Sequence, residues 1–171
     1  MSTDDPLCCG RSARLTTGAE IYPRQPHLHG RHFYICDACK GYCGTHRGST
    51  RSLGTPAGPA LRFERQHLHA HVIDPLWMEA ELCGAYEDKP PRVVHQIRKR
   101  ARQRVYEFLA DRLGISEQDC HVGMFDMTRC AAAAEALAGV DYPQIREWAR
   151  RRDAVERRPS APTPRDSIAA I

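Results

Sequence analysis

Tyr34-Ile35-Cys36-Asp37-Ala38-Cys39-Lys40-Gly41-Tyr42-Cys43-Gly44-Thr45-His46 is the stretch on which the reading of this chain turns. Cys36 and Cys39 are separated by two residues. That gap lets one tight turn aim two thiolates at a common point, as a tetrahedral zinc ion requires. Such an ion takes four ligands, so the pair needs partners from elsewhere. The nearest supply is upstream, in Asp5-Pro6-Leu7-Cys8-Cys9-Gly10. This segment has the shape of a second knuckle with Asp5 where a first cysteine would stand. Successive side chains of an extended strand point apart. One of the two adjacent thiols is therefore expected to be a bystander, and register favours Cys8 as the ligand. Asp is a rarer structural zinc ligand, which raises the standing of Cys9, Cys43 and His46. The expected cofactor is zinc, and its expected ligands are Cys8, Cys9, Cys36 and Cys39, with Asp5, Cys43 and His46 as alternates.

Between the two knuckles the chain reads as a ribbon. Residues 13–22 alternate loosely and end in Ala19-Glu20-Ile21-Tyr22, a short strand. Pro23 and Pro26 open a loop holding His27 and His29, and residues 31–35 form a second strand leading into Cys36. Residues 44–59, rich in Gly, Ser, Thr and Pro, read mostly as loop. With Arg47 and Arg51 that loop could cradle a phosphate through backbone N–H groups, although it lacks the P-loop spacing.

Helical periodicity dominates the rest. Over residues 60–73, Leu61, Leu68 and Val72 share one side, and Pro75 is expected to end the helix. His67, His69 and His71 cannot converge on such a helix, although His67 and His71 at i, i+4 could share an ion. Residues 81–91 read as a linker. Residues 93–113 form the strongest amphipathic helix, with Val94, Ile97, Ala101, Val105, Phe108 and Leu109 on one face and Gly114 as its stop. Asp126 is expected to cap a helix over residues 127–138, and Asp141 with Pro143 starts a last one. Cys120, His121 and Cys130 read as core groups more readily than as a second metal site. The expected organisation is a zinc-ribbon-like module over residues 1–59, a helical part over 60–156 and a disordered tail over 157–171. The fold class is α+β, a small N-terminal β module packed with three to four C-terminal helices.

Composition is consistent with a metal-stapled fold. Of 171 residues only 7% are aromatic, and the mean hydropathy is −0.56, so the apolar core is modest and a metal staple would supplement it. The first twenty residues contain no apolar run and no stretch is long enough to span a membrane. Eight cysteines in what is expected to be a cytoplasmic protein of a bacterial host cell read as metal ligands rather than disulfides. The net charge is +4, and its basic excess gathers at Arg92, Arg98, Lys99, Arg100, Arg102 and Arg104 with no acid between. That cluster suits an acidic partner, and Arg98, Lys99 and Arg102 are the expected nucleic-acid contacts.

Several phrases, in order, resemble the zinc-finger-containing domain family found in bacteriophages, prophages and their bacterial hosts. They are Glu20-Ile21-Tyr22-Pro23, the Cys36/Cys39 knuckle, His46-Arg47-Gly48-Ser49-Thr50, Leu53-Gly54-Thr55 and Leu61-Arg62 with Arg65. Ala70-His71-Val72-Ile73-Asp74-Pro75-Leu76-Trp77, Tyr106-Glu107-Phe108-Leu109-Ala110, Leu113-Gly114-Ile115 and His121-Val122-Gly123-Met124-Phe125-Asp126 complete the run. The resemblance spans roughly residues 5–137 and implies a small phage-type zinc protein, in a family whose function is unknown. The chain departs from the family at Asp5, where a ligating cysteine is implied.

Three functions follow as expectations. The first is a small zinc-binding accessory protein that binds or helps process nucleic acid. The second is a module that docks on a host or phage protein, with zinc purely structural and the basic helix as the docking surface. The third is a metal-dependent hydrolase or nuclease, whose candidates are His46, His71, Asp74, His121 and Asp126.

Overall fold

The computed structural model describes residues 5–83 and 88–156. The tail expected over 157–171 and part of the linker expected over 81–91 lie outside those residues. The architecture is α+β: small antiparallel sheets at the N-terminus, then packed helices. Among the described residues no helix is long and apolar enough to cross a membrane.

The N-terminal part begins with a minimal hairpin, β1 (Leu7–Cys8) and β2 (Arg11–Ser12), paired as Leu7↔Ser12 and Cys8↔Arg11. Next comes a three-stranded sheet in the order β3 (Arg14–Thr17), β4 (His32–Ile35), β5 (Tyr42–Gly44). The strand expected over 13–22 stops at Thr17, and Gly18–Ile21 forms one helical turn, α1. At this change of path the chain passes so close to Leu28 that a Cβ on Gly18 would sit 1.9 Å from the Leu28 carbonyl oxygen, so only glycine fits. Tyr22, displaced from the strand, packs edge-on against Phe33 and Tyr42, with centroids 5.5 and 5.7 Å apart. These three rings form the apolar centre of the sheet module, and the Arg62 guanidinium covers Tyr42 at 3.9 Å.

The stretch read as loop over residues 44–59, and the turn before it, are more structured than expected. Tyr42–Gly44 adds the third strand, and Thr45 bridges Ser52 while Tyr42 bridges Ala57. The chain therefore folds back on itself, with a tip at residues 46–51 closed by His46 N–H donating to the Arg51 carbonyl (2.8 Å).

Helix α2 (Pro59–His67) does not run on as an α-helix to Ile73. Residues Leu68–Ile73 widen into a π-helical turn, marked by Asp74 N–H donating to the His69 carbonyl five residues back (2.8 Å). The reason lies in the burial pattern. Leu68 and Ile73 are both buried, yet at 100° per residue an α-helix would set positions five apart roughly 140° from each other. The wider turn brings both onto the core face. Pro75 then opens α3 (Pro75–Met78) instead of ending the helical path.

The long helix α4 (Pro91–Leu113), stopped by Gly114 in the left-handed region, packs against α5 (Met127–Ala136) and α6 (Tyr142–Glu156). Asp126 caps α5 as expected, its carboxylate accepting from Arg129 N–H at 2.7 Å. Ile73, Val105, Leu109, Val122, Phe125 and Ile145 are the largest fully buried side chains, and Cys120 and Cys130 are buried with them.

The module and the helices meet where two glycines cross. Gly54 (φ +156°) lies so close to Gly123 that a Cβ on Gly54 would sit 2.1 Å from the Gly123 carbonyl oxygen, and one on Gly123 would sit 2.1 Å from that of Leu53. Thr55 N–H donates to the Gly123 carbonyl across this contact (2.9 Å). Gly54→Ala is expected to cost about 3 kcal/mol or more, since it combines backbone strain with a backbone clash. A denaturant midpoint equal to that of the parent chain would contradict this account of the junction.

Candidate metal centre

Cys8 ends β1, and the next two residues have positive φ, 51° at Cys9 and 72° at Gly10. This is the two-residue hairpin turn that suits the twist of the flanking strands. It explains how adjacent cysteines serve one point. In a strand their side chains would diverge, but Cys9 has left the strand and turns back towards Cys8. The expectation that one of them stands aside is corrected by this turn, and Gly10 was its signal in the sequence.

The second knuckle follows β4. Cys36 N–H donates to the Gly41 carbonyl and Lys40 N–H donates to the Cys36 carbonyl, both at 2.8 Å, and Gly41 N–H donates to Cys39 Sγ (3.4 Å). Lys40, with φ 59°, makes the sharp return. Arg14 braces the turn from β3, donating to Asp37 at 3.2 and 3.3 Å and to Glu20 at 2.8 and 3.1 Å. Its guanidinium draws the Glu20 carboxyl down to about 2.

These two turns bring the sulfurs of Cys8, Cys9, Cys36 and Cys39 within 4.8 Å of one another. The Sγ–Sγ distances are 3.5 Å for Cys8–Cys39 and 3.9 Å for Cys8–Cys9. Bonds of about 2.3 Å in a tetrahedral zinc site give edges of about 3.8 Å, so the donor set has the chemistry and spacing of a metal centre with four thiolate ligands. The Cys36 thiol is pulled down to about 7, first by the backbone N–H of Cys39 and then by that of Ala38 and the neighbouring thiols. Burial is the main cause that pushes Cys8 the other way.

The alternates lie apart from this group. Asp5 accepts from the Tyr34 hydroxyl at 3.1 Å. Cys43 Sγ sits 3.2 Å from the Gly54 carbonyl oxygen and 3.4 Å from Ser52 Oγ. His46 is at the hairpin tip. Among the described residues no second group of metal-ligating atoms converges in this way.

The remaining candidate residues divide between two faces. His71 is exposed and lies tilted against His67 (centroids 4.8 Å apart), which in turn stacks on exposed Phe63 (6.1 Å). Asp74 lies on the other side, 3.7 Å from His69 Nδ1, and accepts from Trp77 Nε1–H at 3.0 Å. His121 lies in the loop before α5, its Nδ1 accepting Gly123 N–H. Burial is the first cause that lowers its pKa below the ordinary value, and the charges of His69, His46, Arg102 and Arg51 add to the effect. The pairing of His69 with Asp74 had no signal in the sequence, because it spans five residues and exists only through the π turn.

The basic helix is less open than its composition suggests. Arg98 forms an ion pair with Glu81, Nε donating at 2.9 and 3.0 Å, and this draws the Glu81 carboxyl down. Arg102 lies over the rings of Trp77 (5.8 Å) and Tyr106 (5.4 Å). Lys99 is exposed. A different basic surface appears on the sheet module. Gly30, Arg31, His32, Thr45, His46, Arg47, Gly48, Ser49 and Thr50 line an open groove of about 960 Å3 with no carboxylate in its lining.

The sequence model of a family described as a zinc-finger-containing domain matches residues 3–89, half of the chain and all of the sheet module. None of the curated proteins and none of the solved structures searched matches the chain.

Proposed function

We propose that this chain, which belongs to the zinc-finger-containing domain family, holds one structural zinc ion on Cys8, Cys9, Cys36 and Cys39 and uses the module so stapled to bind nucleic acid. Four thiolates close a tetrahedral site and leave no position for water or substrate, the pattern of a structural ion rather than a catalytic one. The ion would fasten the β1–β2 hairpin to the knuckle after β4, and β4 opens one wall of the groove.

The observation that carries the reading is the groove itself. Arg31, His32, His46 and Arg47 converge on it and no acid lines it. Such a surface attracts a phosphate backbone and repels few other parts of a nucleic acid. The tip bends at Gly48, whose φ is 71°, which brings Arg47 and the Ser49-Thr50 backbone to the same rim. The same proposal sets the protein in the cytoplasm of a phage- or prophage-bearing bacterium, as its resemblance implies.

Binding of a fluorescent oligonucleotide, measured from low to high salt, tests the proposal. Affinity should fall steeply with salt, and Arg31→Ala with Arg47→Ala should flatten the log–log slope by about 2, one for each lost phosphate contact. Absence of binding at low salt, or an unchanged slope in the double variant, would defeat it.

A further inference from the structure

The π turn builds a second cluster that the zinc centre does not use. Asp74 is held by Trp77 Nε1–H at 3.0 Å and lies 3.7 Å from His69 Nδ1. The His69 ring is 6.5 Å from Tyr106. Arg102 reaches over both Tyr106 and Trp77 while it remains exposed, so the Tyr106 ring has His69 and the Arg102 charge as neighbours. His121 enters from the loop before α5. Its Nδ1 accepts Gly123 N–H at 3.2 Å, which leaves Nε2 to carry the ring proton as a donor. The crossing of Gly54 and Gly123 brings the hairpin against the same loop, and the charges of His46 and Arg51 act on His121 from there.

The charges of His46 and Arg51, His69, and Arg102, from three other segments, thus act on the His121 ring. The carboxylate among them, Asp74, is already engaged by Trp77 and His69. A cation is disfavoured by Arg102, and the ligand atoms of these residues do not converge as the cysteines do. His121 is unsuited to act as a base, because its one lone pair is committed to a backbone N–H. What the arrangement can do is donate, from several directions, to a compact anion with several oxygens.

We propose that this cluster is a phosphoryl-binding site in which Arg102, His69 and His121 donate to a phosphate monoester. Asp74 is a positioning residue that orients His69. The inference rests on the nucleic-acid reading and deepens it: the groove, which His46 lines, takes the backbone, and the cluster, whose His121 feels the His46 charge, takes a terminal phosphate. The same chemistry would also accept a free nucleotide.

Imidazole NMR on the zinc-loaded full chain tests the site directly. Inorganic phosphate should shift the His69 and His121 ring signals saturably, and a nucleoside monophosphate should do so where the unphosphorylated nucleoside does not. Arg102→Gln and, separately, His121→Gln should each weaken phosphate binding about tenfold, the loss of one charge-assisted or multiply donated contact. Arg150→Ala, whose partner Glu147 is on its own helix, should leave it unchanged. A 5′-phosphorylated oligonucleotide that binds tighter than the mononucleotide assigns the site to a strand end, and the reverse order assigns it to a nucleotide. Ring signals that ignore phosphate, or glutamine variants that bind phosphate as tightly as the parent chain, overturn the proposal. If oligonucleotides still bind through Arg31 and Arg47 in that case, the groove reading stands without it. If phosphate binds here while oligonucleotides do not bind at all, the groove reading falls and this site remains.

Discussion

Cys36→Ser is expected to empty the metal centre and unfold the sheet module while the helices stay folded. Metal content should fall from one ion per chain to near zero. Amides of β4 and β5 should exchange with solvent rapidly, while those of α4 remain protected. The size of the effect follows from what the module has besides the ion: three short strands and one cluster of three aromatic rings. A structural zinc ion contributes on the order of 10 kcal/mol to the folding of small finger peptides, more than so small a core supplies. The helices keep their own buried core around Ile73, Val105 and Leu109. Cys43→Ser is the control. Its sulfur sits beside Ser52 and the Gly54 carbonyl, so that variant should retain its metal. Equal metal loss in both variants would contradict the assignment.

Arg65→Ala is expected to loosen the junction between the module and the helices. Arg65 donates from Nε to the Phe125 carbonyl (2.8 Å), from Nη1 to the Thr55 carbonyl (2.8 Å) and from Nη2 to Thr55 Oγ1 (2.9 Å). One side chain on α2 thereby ties the end of the hairpin to the loop before α5. Removing it strands two partly buried carbonyl groups, and the expected cost is about 3 kcal/mol. Arg65→Lys should recover little of this, because an ammonium group cannot span both carbonyls in the fork geometry of a guanidinium. Urea denaturation of the zinc-loaded chain checks the point, and a variant within about 0.5 kcal/mol of the parent would show that the clamp is idle.

The parts of the fold that were legible in the sequence are those set by local pattern. The 93–113 periodicity became α4, Gly114 became its left-handed stop and Asp126 became the α5 cap, because each depends on residues within a turn or two. The Cys36/Cys39 knuckle was legible for the same reason. Cys9 was harder to read. Alternation in a strand argued against it, and the answer lay in the positive φ that Gly10 helps the hairpin turn to adopt. The π turn could not be read at all. It arises because Leu68 and Ile73 must share a core face, a tertiary demand that overrides the helical period. His69 and Asp74 meet only as its consequence. The groove combines Arg31 and His32 with Arg47 through strand pairing between β4 and β5, and nothing in the local sequence joins those segments. The basic run on α4 was visible from composition, but the partner that ties up Arg98 is Glu81, seventeen residues away and outside the run.

X-ray absorption at the zinc edge of the purified full chain measures the central claim most directly. Four sulfur neighbours at about 2.3 Å, one ion per chain, is the result this account predicts. A shell containing nitrogen or oxygen at about 2.0–2.1 Å, as His46 or Asp5 would supply, or a chain that purifies without bound metal and takes up none, would contradict it.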